Sequence, residues 1–376
     1  MRWMTERMAA SAGMDVPVFP GPGHHQDPSV AAAVSEAPAA TGPDRSCRLP
    51  PPAHCRSVDA AGSVDTLTGR LMQRRFKRNN RATSGLGAAA ALALSKEGFC
   101  VVLGVISNIR RLNKDAHLEG LEVDLSSFSS IMSFKNSLEN WLLDSDMHPS
   151  IQLLINNAGI LATSRLTTDG RERMMGTNYI GAFSLTEVLL PLLKNSPIPS
   201  RIVNVTSFTH RNVLSFQPDK ETVSGKRFLD FRNYPCAQIY EYSKFCLLLL
   251  SYELHRRLNL TEGSQKISVM AADPGAVKTN IMREVPMFIS QAAFASLRFF
   301  GLLQSPKMGV SSICDAALAP PEASGLYFFG GRGRTVDSSP LSYNLKLSRE
   351  LWATSCDIFQ DLLQIYNKVS VRNDIK

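Results

Sequence analysis

Short apolar segments alternate with longer stretches of helical periodicity from about residue 82 onward, and this alternation restricts the fold more than any other feature. Strand and helix in alternation predict a parallel sheet with helices on both of its faces. Continuous apolar runs such as residues 151–155 fit strands that are covered on both sides. The sequence therefore predicts an α/β fold with a doubly wound parallel sheet. The predicted strands are residues 99–105, 117–125, 151–156, 201–206, 266–273 and 325–330, and helices are predicted at 85–97, before Trp141, at 171–194 and at 236–259.

Residues 1–70 differ in composition from the rest of the chain. They are rich in Pro, Ala, Gly and Ser and show neither strand nor helix periodicity, so we predict a disordered N-terminal extension before a domain at residues 71–376. No apolar run reaches the roughly 18 residues that a spanning helix needs. Part of the net charge of +8 comes from basic residues between positions 70 and 81. This cluster fits a solvated linker, with contact to phosphates or an anionic membrane as the alternative.

The remaining composition excludes several classes of protein. The seven cysteines are scattered and form no Cys-x-x-Cys pair. This argues against a metal cluster or a disulfide framework and predicts an intracellular, reducing compartment. No nucleic-acid-binding motif accompanies the basic cluster, so no nucleic acid partner is predicted.

Tyr240 and Lys244 lie four residues apart in a segment with helical spacing, which places a phenol and an ammonium on one helix face. An ammonium near a phenol favours the phenolate and lowers the tyrosine pKa. A tyrosine tuned in this way can exchange a proton with a substrate oxygen near neutral pH. Tyr242 competes for the role, but its lysine at +2 faces another side of the helix. Any helix can carry such a pair by chance, so its surroundings decide its meaning.

Three further motifs follow predicted strands: Asn156 to Gly159, Ser207, and Asp273 to Thr279. Taken singly, each is compatible with an ordinary turn. All three lie at carboxyl ends of strands, the edge at which open α/β sheets bind ligands. Small residues at such an edge let a ligand approach the backbone, and a serine hydroxyl can donate a hydrogen bond to a substrate oxygen.

In this order, the motifs resemble those of the short-chain dehydrogenase/reductase family, and over residues 82–340 the chain is most similar to its retinol-dehydrogenase-like branch. The resemblance implies a Rossmann-like fold and hydride transfer between NAD or NADP and an alcohol/carbonyl pair. It implies that Tyr240 is the catalytic acid/base, that Lys244 lowers its pKa and binds the nicotinamide ribose, and that Ser207 polarises the substrate oxygen. Asn178 matches the helix asparagine that holds a water in the proton relay.

The resemblance also assigns the cofactor cleft. Asp124, followed by Leu125, matches the acid that meets the adenine amine, and Asn157, Ala158 and Gly159 line the cleft. The nicotinamide carboxamide is assigned to the Pro-Gly segment, and the phosphates to the glycine loop. The residues of these two segments are Pro274, Gly275, Val277, Thr279, Ser84, Gly85, Leu86 and Gly87.

The glycine loop and the strand before it depart from the family pattern. Arg81 stands where the family has its first glycine, which makes the tight turn beneath the pyrophosphate. In the candidate first strand, residues 71–76, Arg74 and Arg75 are adjacent, and a central strand cannot shield both charges. The residue that reads the adenosine ribose is also altered, at residues 105–107, so the sequence does not distinguish NAD from NADP. The alternative to an enzyme is a catalytically impaired binding or scaffold protein on the same fold.

Residues 276–303 are strongly apolar and follow the Pro-Gly turn, where the family builds its substrate lid. They predict a lipophilic alcohol, ketone or aldehyde as substrate, such as a retinoid, steroid or polyprenoid. The alternatives are core packing and peripheral membrane contact through a surface helix. By resemblance, the helices that carry Asn178 and Tyr240 predict a homodimer.

Overall fold

The computed structural model describes residues 85–103, 113–114, 117–145, 147–162, 166–167, 169–259, 267–277, 281, 287–299 and 303–374. Several predictions concern residues outside these ranges. They are the extension at 1–70, the first strand at 71–76, Arg81, Ser84, the altered ribose-reading segment at 105–107, and Thr279.

Six parallel strands lie where the sequence predicts them, each shorter than its predicted segment. They form two ladders, one of β1 and β2 and one in the order β3-β4-β5-β8. Their bounds are β1 Val101–Leu103, β2 Leu118–Gly120, β3 Leu153–Asn156, β4 Arg201–Val205, β5 Ser268–Asp273 and β8 Tyr327–Phe329. Two further strands, β6 Ala276–Val277 and β7 Leu303–Gln304, form a small parallel ladder of their own.

The two larger ladders are not joined by any strand within the described residues. The common doubly wound order, 3-2-1-4-5-6, places the first strand of the chain between them. Residues 71–76, which were predicted to form that strand, lie outside the described residues. Every residue of β5 is buried, whereas Leu153 and Ile155 on β3 stay partly exposed.

Helices cover both faces of the four-stranded ladder, as predicted. On one face, α1 and α7 pack against apolar side chains of β4 and β5, including Val203 and Met270. On the other face, α2, α3 and α5 form the larger core with Ile202 and Val269. The helices are α1 Leu86–Lys96, α2 Phe128–Asp144, α3 Gly181–Lys194, α4 Lys220–Val223, α5 Cys236–Asn259, α6 Met287–Phe299, α7 Pro306–Leu318 and α8 Leu345–Asp374.

Local sequence explains several helix boundaries. The side chain of Ser305 caps α7 by accepting a hydrogen bond from the Met308 N–H, and Pro306 occupies the first helical position, where its missing N–H is not needed. Ser127 caps α2 in the same way. A π-helix, Met175–Ile180, leads directly into α3. The sequence pattern predicts a helix here but does not distinguish the π-helical turn from α-helix.

The C-terminal helix α8 covers α3 and α5. Phe183 on α3 packs edge-on against Trp352 and Phe359 of α8, with ring centroids 5.5 and 6.3 Å apart. Tyr179 shares a 2.7 Å hydrogen bond with Ser355. Residues 243–254 of α5 are consequently buried without interruption. The helices that the resemblance assigned to a homodimer therefore also contact α8, and the homodimer stays a prediction.

Among the described residues, every helix is too short or too polar to cross a bilayer. The cysteines described are all free thiols, and nowhere in these residues do three His, Cys, Asp or Glu side chains converge as metal ligands.

Candidate active site

The predicted motifs meet at one edge of the four-stranded ladder. Because β3, β4 and β5 are parallel, their carboxyl ends lie side by side, with Asn156 paired to Asn204 and Val205 paired to Ala272. The Asn-Asn-Ala-Gly turn, Ser207 and the Pro-Gly turn each follow one of these ends. The structure thus brings together the motifs that are far apart in sequence.

Ser207, Tyr240 and Lys244 form the centre of this edge. Ser207 caps a 3-10 turn, Phe208–Asn212, and its side chain neighbours the Tyr240 phenol. Lys244 is 3% exposed, donates to the Val205 carbonyl at 2.8 Å and lies with Nζ 5.9 Å from the Tyr240 ring centroid. Thr206 Oγ1 donates to the Lys244 carbonyl at 2.9 Å, which ties α5 to the end of β4.

Burial shifts the pKa values of both members of the pair. It raises the pKa of Tyr240, the neighbouring Ser207 side chain opposes this, and the negative charge of Asp273 adds to the rise. Burial likewise lowers the pKa of Lys244 to about 8, against the opposing charge of Asp273. Desolvation of the phenol thus has the largest effect on Tyr240, and the lowering of its pKa by Lys244 stays a prediction.

Tyr242 occupies different surroundings on the same helix. Its hydroxyl accepts a hydrogen bond from Gln238 Nε2 at 3.3 Å, and its ring packs edge-on against Phe216 and Phe228. Tyr240 is thus the tyrosine beside Ser207, and its catalytic role stays a prediction.

Asn178 lies in the π-helix and is fully buried. Its side-chain oxygen accepts from the Ile160 N–H at 2.8 Å, and its Nδ2 donates to the Ile160 carbonyl at 2.9 Å. A Cβ on Gly159 would lie 3.2 Å from Lys244 Nζ and 3.7 Å from Asn178 Oδ1. Asn178 therefore fixes the loop that contains Gly159 directly against Lys244.

The described cofactor residues fit a dinucleotide at the catalytic half of the cleft. A Cβ on Gly87 would lie 2.6 Å from Asn157 Nδ2, so the start of α1 lies directly against the Asn157 side chain of the Asn-Asn-Ala-Gly turn. Gly85 and Gly275 adopt positive φ angles of 93° and 70°. Beside Gly275, the buried Oε1 of Gln304 has no hydrogen-bond partner among the described residues, as suits a place for a polar ligand.

The adenine end is less fully described. Asp124 is exposed, and its Oδ1 accepts hydrogen bonds from the Ser126 N–H and hydroxyl at 2.9 and 2.7 Å. Leu125 is buried, and its carbonyl lies against Gly181. Leu86, Ala158, Pro274 and Val277 lie in the segments predicted for them, whereas Ser84 and Thr279 fall outside the described residues.

Two groups near the site, Asp273 and His210, were given no role from the sequence. Asp273 is fully buried at the end of β5, and its Oδ2 accepts a 2.5 Å hydrogen bond from the Tyr327 hydroxyl. His210 is also buried. It accepts from the Ser339 N–H through Nε2, so Nδ1 carries the proton and donates to the Ser207 carbonyl at 2.7 Å. A carboxylate ending an apolar strand was the available signal for Asp273, whereas nothing local marks Tyr327.

Comparison with known proteins agrees with the arrangement. The family model for short chain dehydrogenase matches residues 82–217. Human polyprenol dehydrogenase is 30% identical over 73% of this chain and 82% of its own length. Human retinol dehydrogenase 13 is 30% identical over 73% of this chain and 81% of its own length. Among solved structures, an uncharacterised protein from Mycobacterium paratuberculosis is 27% identical, with a TM-score of 0.53 over 74% of this chain and 91% of its own.

Proposed function

The chain belongs to the short-chain dehydrogenases, in the retinol-dehydrogenase-like branch, and from this premise we propose that it interconverts a lipophilic alcohol and its carbonyl compound with NAD or NADP. The observation that carries the proposal is the assembly of Ser207, Tyr240 and Lys244 beside the Asn178-supported loop. Binding of a nicotinamide cofactor is a property of the family, and the choice between NAD and NADP stays open.

The bound cofactor would give a hydride to the carbonyl carbon or accept one from the alcohol carbon. The Ser207 side chain neighbours the Tyr240 phenol, so a substrate oxygen bound beside them can contact both hydroxyls. In reduction, Tyr240 gives its phenolic proton to that oxygen, and in oxidation it takes the proton back. Lys244 donates one N–H to the Val205 carbonyl, and its two remaining N–H groups suit hydrogen bonds to the ribose hydroxyls.

Helix α6 supports a lipophilic substrate. It connects β6, which directly follows the Pro-Gly turn, to β7. Three of its apolar side chains are open to solvent: Met287, Phe288 and Phe299 are 72%, 74% and 84% exposed. Exposed apolar groups beside a cleft suit a long apolar molecule. The same side chains, with Arg298 beside them, would suit contact with a membrane surface that delivers such a substrate.

Substitution of Tyr240 tests the proposed chemistry. Tyr240→Phe should lower turnover about 10²- to 10⁴-fold, the usual contribution of a general acid/base. Tyr242→Phe is the matched control, since this hydroxyl contacts Gln238 and lies away from Ser207. Circular dichroism should show both variants folded. Equal activity of the Tyr240 variant and wild type would refute the assignment.

Substrate length tests the substrate class. Long-chain isoprenoid alcohols and aldehydes should turn over with a higher kcat/KM than small polar carbonyl compounds under the same conditions. Faster turnover of the small polar compounds would overturn the lipophilic assignment. Flotation with vesicles of anionic lipid, with Phe288→Ala as the comparison, tests the membrane contact separately.

A second candidate is a binding or scaffold protein with a weakened cofactor site. It is favoured by Arg81 at the position of the first loop glycine. Titration of the purified protein with NADH and NADPH separates the two candidates. Micromolar cofactor binding together with turnover would exclude a protein that is only a scaffold. A lack of binding at millimolar cofactor concentration would exclude the enzyme.

A further inference from the structure

A buried carboxylate lies directly behind the predicted nicotinamide site. Asp273 is the last residue of β5 and has no exposed surface. A buried charge is tolerated only where hydrogen bonds and opposite charges compensate its lost hydration. Both carboxylate oxygens are used here: Oδ1 accepts from the Gly275 N–H at 2.7 Å, and Oδ2 accepts from the Tyr327 hydroxyl at 2.5 Å.

The first of these bonds shapes the Pro-Gly turn. A bond from a carboxylate to the backbone N–H two residues later closes an Asx turn. This turn holds Gly275 at a φ of 70°, and the Gln304 amide packs 2.9–3.4 Å from where a Cβ on Gly275 would lie. The chain then enters β6 at Ala276, beside Val277. The direction in which the backbone leaves β5 therefore depends on Asp273.

The same carboxylate faces charged and titratable groups on every element around it. Tyr327 comes from β8, Lys244 and Tyr240 from α5, and Arg211 from the 3-10 turn after Ser207. His210 packs edge-on against the Tyr327 ring, with centroids 5.4 Å apart, and is kept neutral because burial lowers its pKa to about 4. The negative charge of Asp273 favours the protonated ammonium of Lys244.

We propose that Asp273 is a positioning residue for nicotinamide binding. When it is ionised, its carboxylate fixes the Pro-Gly turn and stabilises the protonated ammonium of Lys244. When this carboxylate takes up a proton, nicotinamide binding is lost. The inference rests on the proposed function for the identity of the ligand. On protonation, the bonds to Gly275 and Tyr327 cease to be charge-assisted, and such bonds are roughly twice as strong as neutral ones. Lys244 loses its compensating charge in the same step.

The switch falls in an accessible pH range. Burial raises the pKa of Asp273 to about 6, while the bonds from Tyr327 and Gly275 and the charges of Arg211 and Lys244 oppose the rise. Tyr327 thus keeps the carboxylate ionised at neutral pH. Removing its hydroxyl should move the transition to higher pH without emptying the space that the ring fills.

Binding of two ligands across pH tests the proposal. NADH contains the nicotinamide, whereas ADP-ribose ends at the ribose and reports the adenosine half alone. For wild type, NADH affinity should fall as pH drops through about 6, and ADP-ribose affinity should change much less. Asp273→Asn should bind NADH roughly 10-fold more weakly at pH 7.5, the expected loss for charge-assisted hydrogen bonds, and lose the pH transition. Tyr327→Phe should shift the transition upward, and Asp361→Asn, on the exposed side of α8, should match wild type.

The proposal is overturned if Asp273→Asn keeps the wild-type transition, or if ADP-ribose shows the same transition as NADH. If wild type binds neither ligand, the proposed function fails, and urea unfolding across pH still decides the role of Asp273. A carboxyl with a raised folded pKa makes stability fall as pH rises from about 4 to about 6. That fall should be present in wild type and absent in Asp273→Asn, and equal profiles would overturn the ionisation itself.

Discussion

Replacing Gly181 by alanine should change the free energy of unfolding through two opposing effects. Gly181 is the first residue of α3 and continues the helix from the preceding π-turn. In a helix, Gly→Ala gains about 1 kcal/mol from propensity. At this position, however, the new Cβ would lie 2.2 Å from the Leu125 carbonyl oxygen and 2.9 Å from the Leu125 Cβ. Because the nearest atom is backbone, the loop after β2 has to move.

The steric term should exceed the propensity term. Overpacking costs about 1–3 kcal/mol, and a contact of 2.2 Å with backbone belongs at the upper end of that range. Subtracting about 1 kcal/mol of propensity leaves a net loss of about 2 kcal/mol. For a domain of roughly 300 residues, with an unfolding entropy of about 2.1 cal/mol/K per residue, that loss corresponds to a fall in Tm of about 3 °C.

Urea unfolding and thermal melting measure the effect, with Gly176→Ala as the matched control. Gly176 is helical as well, but the nearest atom to its Cβ would be the Thr167 methyl at 3.0 Å, which belongs to a side chain and not to backbone. This variant should lie within about 1 kcal/mol of wild type because its small steric cost is offset by propensity. If Gly181→Ala were as stable as Gly176→Ala, the close contact between α3 and the Leu125 carbonyl would not exist in solution.

Three further predictions concern Lys244 and the covering helix. Between pH 8 and 10.5, Lys244 is deprotonated in the folded protein but still protonated in the unfolded chain. The free energy of unfolding should therefore rise with pH by up to about 3 kcal/mol relative to Lys244→Met, measured by urea unfolding. A difference between the two proteins that stays constant with pH would contradict the burial of this charge. Phe183→Ala should cost about 3–5 kcal/mol by opening a cavity against α8, whereas Phe288→Ala, 74% exposed, should stay within about 0.5 kcal/mol; similar midpoints for the two would refute the aromatic cluster. A chain ending at Asn344 should run as oligomers or aggregate in size-exclusion chromatography with light scattering, since α3 and α5 lose their cover, and a folded monomer would contradict this.

The sequence predicted the parts of this protein that depend on local pattern. Periodicity identified the six strands of the larger ladders, and helix geometry selected Tyr240 over Tyr242. Strand topology then brought Ser207 and the two turns to one edge without any need for side-chain detail. The strand predictions are confirmed because alternation and spacing are properties of neighbouring residues.

Other features required contacts between distant segments. The position of α8 over α3 depends on aromatic packing that no local pattern encodes, so this contact was not predicted. The pKa of Tyr240 depends on how deeply the phenol is buried, which spacing to Lys244 does not report. The bond between Asp273 and Tyr327 joins residues 54 positions apart. The glycine loop around Arg81 stays a prediction, since it lies outside the described residues.

The cover provided by α8 has a consequence for synthesis of the chain. Tyr179 and Ser355, which bond across this contact, are 176 positions apart in sequence. At about 5–20 residues per second, the ribosome needs roughly 9–35 s to make the intervening chain. During that time α3 and α5 carry apolar surface with no partner, and contacts of such long sequence separation also form slowly. The nascent protein therefore passes through a period of aggregation risk whose length is set by where in the sequence its last helix lies.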